Sequence, residues 1–73
     1  MNAITIAILT ATFANLTITE ENAWTLNITA PENIAKSAEF NNALAKTGFQ
    51  YAGNMKTYFL YTSGTRYAKV YIQ

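Results

Sequence analysis

Four glutamates, Glu20, Glu21, Glu32 and Glu39, are the only carboxylate side chains in these 73 residues, which contain no histidine, cysteine or aspartate. The commonest general base and the commonest metal ligand are therefore missing. So are thiol chemistry, thiolate metal sites and disulfide staples. Glu20-Glu21 is an adjacent pair with no further acidic ligand nearby in sequence, a poor hard-cation site and a good solvated loop. Ser37 and Ser63 have no histidine to activate them, and Gly48 and Gly53 belong to no phosphate-cradling motif. The expectation is a non-catalytic chain without cofactor, metal or small-molecule substrate.

Binding chemistry is better represented. In "YTSGTRYAKVYI", residues 61–72, side chains alternate, and both alternating sets look worth burying. One set carries the aliphatic residues. The other gathers Phe59, Tyr61, Tyr67 and Tyr71 around Lys69, with Lys46, Lys56 and Arg66 close in sequence. Aromatic rings exposed on a sheet stack on bases, worth about 1–3 kcal/mol per base, while nearby cations attract phosphate. That pattern points to single-stranded nucleic acid, DNA or RNA, as the partner.

The same residues suit a protein partner, since tyrosine and phenylalanine are enriched at interface centres and charge is depleted there. A small chain without catalytic groups is what an inhibitor or adaptor that blocks another protein looks like, for example one encoded by a phage or mobile element. The plainest alternative is packing: cross-strand aromatic pairs stabilise hairpins, and the N-terminal hairpin can cover the face as a second layer.

Charge is uneven along the chain. Residues 1–45 set Lys36 against the four glutamates, a balance of −3, whereas residues 46–73 hold Lys46, Lys56, Arg66 and Lys69 without an acid, +4. An acidic front and a basic rear predict a polarised surface. With 51% hydrophobic and only 12% charged residues, a second copy is also an expected partner. The uncharged segment 1–19 lacks the basic start of a signal peptide, and its threonines and asparagines interrupt any membrane span. It reads as strand, in a cytoplasmic protein with no membrane contact.

The elements that must position these residues follow from periodicity. Residues 4–18 alternate through Ile4, Ile6, Ile8, Leu16 and Ile18, as one strand or as two joined by a bulge near Thr10 to Thr12. A three-residue hairpin loop within Thr19–Ala23, with Asn22 left-handed, leads to a strand from Trp24 to Thr29. It places Ile18 opposite Trp24 and Leu16 opposite Leu26, all facing the core. A helix over residues 31–46 starts at a capping box with Pro31 in its first turn and stops at Gly48.

Three strands then follow, turning at Gly53-Asn54 and at Thr62–Thr65. A G1 bulge at Gly64 would pair Tyr61 with Thr65, Phe59 with Tyr67 and Thr57 with Lys69. Phe49, Tyr51, Tyr58, Leu60, Ala68, Val70 and Ile72 then face the helix, and Phe59, Tyr61, Tyr67, Lys69 and Tyr71 face water. The fold expected is a single α+β domain over residues 1–73, two-layered, with one α-helix on a mostly antiparallel sheet in the order ββαβββ.

"WTLNITAPEN" followed by "FNNALAKTGFQYAGNMKTYFLY" within residues 24–61 resembles HARP-type modules, small units attached to DNA-processing proteins. Gly48-Phe49-Gln50-Tyr51 and Lys56-Thr57-Tyr58 are the matching pieces, with Tyr58 where the family usually has tryptophan. The resemblance implies association with DNA.

Overall fold

The computed structural model describes residues 2–73, and it overturns the strand expected over residues 4–18. Asn2–Thr12 form a helix, α1, which buries Asn2, Thr5 and Leu9. Those positions are three and four residues apart, a helical stripe, and half-buried Phe13 extends it. The alternating isoleucines suggested a period of two, yet Ile4 is 63% exposed. A threonine in a helix can satisfy its hydroxyl on the carbonyl of the preceding turn. Thr10 and Thr12 do this, donating to the carbonyls of Ile6 at 2.7 Å and Ile8 at 2.8 Å. Shortly after α1 the chain reverses through Asn15, the one non-glycine residue with positive φ, 64°, among those described.

β1 (Thr17–Asn22) and β2 (Thr25–Ala30) form an antiparallel hairpin, but in another register from the one expected. Ile18 pairs with Ile28 and Asn22 with Thr25, so the turn holds only Ala23 and Trp24, and a bulge falls at Glu21. The Asn22 side-chain oxygen accepts the Trp24 N–H at 2.8 Å, a local bond that shapes the turn. Trp24 is thereby lifted out of the strand, while Leu26 and Ile28 face the core as expected.

The single helix expected over residues 31–46 is two, α2 (Glu32–Ala35) and α3 (Ala38–Ala45). Ser37 makes the break. Its hydroxyl donates to the Ile34 carbonyl at 2.7 Å, closing α2, and accepts the Phe40 N–H at 3.1 Å, capping α3. At the front of α2 the Pro31 carbonyl takes the Ala35 N–H at 2.9 Å, and no side chain caps that end. The stop at Gly48 stands: its φ is +89°, and the next amide, Phe49, returns to the Leu44 carbonyl at 3.1 Å. A Cβ at Gly48 would also sit 3.0 Å from the Ser63 hydroxyl.

β3 (Gln50–Asn54), β4 (Phe59–Ser63) and β5 (Arg66–Ile72) complete a five-stranded mixed sheet in the order β1-β2-β5-β4-β3. β2 and β5 run parallel, and the other neighbours are antiparallel. Gly53-Asn54 is not a turn. Asn54 pairs with Phe59, and the chain reverses through residues 55–58. Leu9, Phe40, Leu44 and Phe49 pack with Leu26, Ile28, Ala68 and Val70 into one core, to which all three helices contribute. The α+β class holds, with three helices in place of one and the chain order αββααβββ in place of ββαβββ.

One polar atom in this core is unmatched. Thr5 is fully buried, and its hydroxyl has no hydrogen-bond partner among the described residues. A buried hydroxyl without a partner costs about 1–3 kcal/mol in protein mutational data. Thr5→Val keeps the shape and removes the group, so it is expected to raise the thermal midpoint by several degrees. A fall in midpoint in differential scanning calorimetry would refute this.

Candidate binding surfaces

The turn between β4 and β5 decides which residues meet solvent. Ser63 pairs with Arg66, leaving a two-residue loop of Gly64 and Thr65, with Gly64 at φ +61° in the first central position. A type II′ turn requires that placement. The partner of Tyr61 is then Ala68 and not Thr65, three residues further along β5. An odd shift exchanges the faces of β4. Phe59 and Tyr61 turn to the helix side, and Leu60 joins the open side.

The open face carries Tyr67, Lys69 and Tyr71 from β5, as expected, beside Thr25, Asn27 and Thr29 from β2. Tyr67 is 43% exposed, and Tyr71 is half-buried against Tyr58, ring centroids 5.4 Å apart. Lys69 lies over the Tyr58 ring at 5.4 Å and pairs with Glu21 at 3.3 Å. Glu21 also accepts a bond from Asn27 at 3.2 Å, and that bond, followed by Lys69, holds its carboxyl below the usual range. Partial burial pulls the Lys69 ammonium down, but Glu21, with smaller contributions from Tyr71 and Tyr58, outweighs it and leaves it raised. The cation on this face is thus already paired.

The remaining cations are dispersed. Arg66 is buried on the helix side, 8% exposed, with Nε and Nη2 donating to Asn2 Oδ1 at 3.2 and 2.6 Å and its guanidinium 4.8 Å over Phe49. Lys46 caps the end of α3, beside Ile8 and Thr12 of α1. Lys56, in the β3–β4 loop, flanks a hollow of ≈ 230 Å³ together with Lys36 and Tyr58.

Phe59 and Tyr61 come together on a different surface. Tyr51 lies edge-on to Tyr61 at 5.5 Å and tilted to Phe59 at 6.4 Å. The three rings line a groove of ≈ 530 Å³ against Ala35, Ala38 and Asn41, where α2 meets α3. Burial there, then the neighbouring Tyr51, pushes the Tyr61 phenol above its ordinary value.

Two aromatic residues that sequence reasoning placed inward are on the open side. Tyr58 moves with the β3–β4 loop. Trp24, 59% exposed, stands beside Tyr67, and with Asn22, Thr25 and Thr65 they line a cleft of ≈ 490 Å³. The signal for Trp24 was Asn22 two residues before it, an Asx-turn spacing that competes with strand.

Fold and surface define a small α+β protein with aromatic side chains on an uncovered sheet face. Among the described residues no cluster of acidic side chains has the make-up of a metal site, and no helix is long and apolar enough to cross a membrane. No family model, curated protein or solved structure matches the chain.

Proposed function

We propose that this chain is a non-catalytic protein-binding inhibitor or adaptor that holds its partner on the open sheet face, with the cytoplasm as its expected setting. The observation that carries the reading is the charge on that face: Lys69 is spent on Glu21, while Trp24 and Tyr67 stand exposed at one end. Exposed aromatic anchors around a neutral centre suit a protein interface, where tryptophan and tyrosine dominate the binding energy. A standard interface takes about 800 Å² per partner, roughly a fifth of the 4342 Å² surface. In the absence of that partner, a second copy is expected on the same face at high concentration, which light scattering over a concentration series measures.

The test is capture from the host with the wild-type chain, Tyr67→Ala, Tyr71→Ala and the groove variant Tyr51→Ala. One stoichiometric protein retained by wild type and Tyr51→Ala, and reduced at least about tenfold by the other two, supports the reading; tenfold is about 1.4 kcal/mol. Retention by both open-face variants with loss on Tyr51→Ala would move the function to the groove.

A second reading, binding of single-stranded nucleic acid, has its own observation. Lys56 flanks the hollow beside Tyr58, whose ring pairs with Tyr71, and Lys36, which is paired with Glu32 at 2.7 Å, also lines it. Phosphate in that hollow would leave a base within reach of the two rings. The resemblance to HARP-type modules points the same way. Titration with labelled DNA and RNA decides. Salt-sensitive binding weakened by Lys56→Ala and Tyr71→Ala carries this reading, and no binding at about 100 µM, the weak end of non-specific affinity, ends it.

A further inference from the structure

We infer that a second copy of this chain docks edge to edge, its β1 lying antiparallel to β3 with Ile18 opposite Tyr51, so that the sheets join head to tail. The contact goes beyond the protein-binding reading, since it uses the two rims of the sheet and leaves the open face uncovered.

β1 and β3 are the outer strands of the sheet, and an outer strand keeps a row of unpaired N–H and C=O groups that another extended backbone matches. Ladder phase decides which groups these are. β2 turns its even-numbered residues to β5, since the Trp24 and Ala30 carbonyls accept from the Tyr67 and Gln73 N–H groups. Ile28 therefore faces away from β1, and Ile18 across from it points its own N–H and C=O outward. By the same alternation β5 turns Ala68 to β4, so Tyr61 faces β5 and Tyr51, its partner on β3, points outward. Both side chains lie on the helix side, Tyr51 against Tyr61 and Ile18 across from buried Ile28.

β3 runs parallel to β2 and β5, and so antiparallel to β1. A copy displaced across the strands without rotation brings its β1 against β3 in the antiparallel sense, continues the sheet and keeps every helix on one side. Tyr51 and Ile18 then exchange their backbone bonds. Half-buried Ile18 packs on the Tyr51 ring, which is 54% exposed in the single chain.

Charge selects the opposite edge over a like one. In that register Glu20 of the second copy stands across from Phe49, three residues from Lys46 at the end of α3. Among the described residues Glu20 is held only by the neutral Asn2 amide, and Lys46 and Lys56, on either side of β3, form no ion pair. β1 against β1 would crowd two Glu20-Glu21 pairs, and β3 against β3 would bring Lys46 of one copy toward Lys56 of the other. Bulges at Glu21 and Ala52 interrupt both edges and keep the contact short and weak.

Synthetic chains N-methylated at the Ile18 or the Tyr51 amide test this, because each loses an outward donor and no bond inside the sheet. In sedimentation over a concentration series the unmodified chain is expected to grow past the dimer without a fixed stoichiometry, half associated on the order of 500 µM. Each methylated chain should stay monomeric alone, whereas their equimolar mixture should form a heterodimer and stop, since one edge of each kind remains. Lys46→Glu, at an exposed helix end, should weaken association at least about threefold, and Tyr67→Ala should leave it unchanged. A monomer at about 2 mM, a methylated chain that associates alone, no weakening in Lys46→Glu, or association lost with Tyr67→Ala overturns the inference. Host capture that depends on Tyr67 and Tyr71 would, in the first three cases, leave the protein-binding reading standing.

Discussion

Phe40→Ala is expected to abolish the cooperative thermal transition. Phe40 is fully buried, packs tilted against Phe13 beyond the end of α1 with ring centroids 5.6 Å apart, and belongs to the one core between helices and sheet. Phenylalanine-to-alanine changes in cores cost about 3–5 kcal/mol. Native domains are stable by about 0.05–0.15 kcal/mol per residue, which for this chain is about 4–11 kcal/mol, and small domains sit toward the low end. One substitution therefore removes most of the margin. Losing the ring also removes what Phe13 packs on, so α1 loosens with it. Near-ultraviolet circular dichroism should lose its fine structure at 25 °C, whereas Glu39→Ala, on the exposed side of the same turn, should melt like wild type. A Phe40→Ala protein melting within a few degrees of wild type would mean that the core is centred elsewhere.

The second large effect concerns the buried guanidinium. Asn2→Ala removes the oxygen that accepts from Arg66 at 3.2 and 2.6 Å, together with the amide that donates to Glu20 at 3.0 Å. A buried cation left without its acceptor is costly; hydrogen bonds to charged groups contribute about 1.5–3 kcal/mol each, and the stranded group adds its desolvation. Arg66→Met keeps an apolar stem over Phe49 and leaves no charge to satisfy, so it should cost less than Asn2→Ala. In the Arg66→Met background, Asn2→Ala is expected to lose most of its effect. Urea unfolding of the four proteins measures the coupling, expected at about 1–3 kcal/mol. Additive losses would show that Asn2 acts on its own account.

How far the sequence could be read depended on whether the deciding interaction was local. Gly48 as a helix stop, Leu26 and Ile28 on the core side, and Tyr67, Lys69 and Tyr71 on the open side all follow from residue type and period over a few positions. The first helix was hidden because its buried stripe is largely polar: Asn2 is chosen by Arg66, 64 residues away in sequence, and Thr5 by the core. β-branched isoleucines at alternate positions looked like strand, and tertiary packing overrode them. The open face was misassigned in β4 because one glycine supports two turns. Gly64 suits both the bulged three-residue loop and the two-residue turn, and only the buried set Tyr61, Ala68 and Val70 tells which is used.

β5 lies between β2 and β4, so the strand nearest the carboxyl end is the one that joins the two hairpins. Before Arg66–Ile72 are in place, neither hairpin touches the other through the sheet, and each shows an unpaired flank. The two hairpins are thus joined through pairs that lie far apart in sequence, Thr25 with Tyr67 among them, and pairing of that range slows folding. The same arrangement puts the best-protected strand at the midline: Ala68 and Val70 are fully buried, so local opening starts at the edge strands β1 and β3, and β5 lets go only with the whole domain.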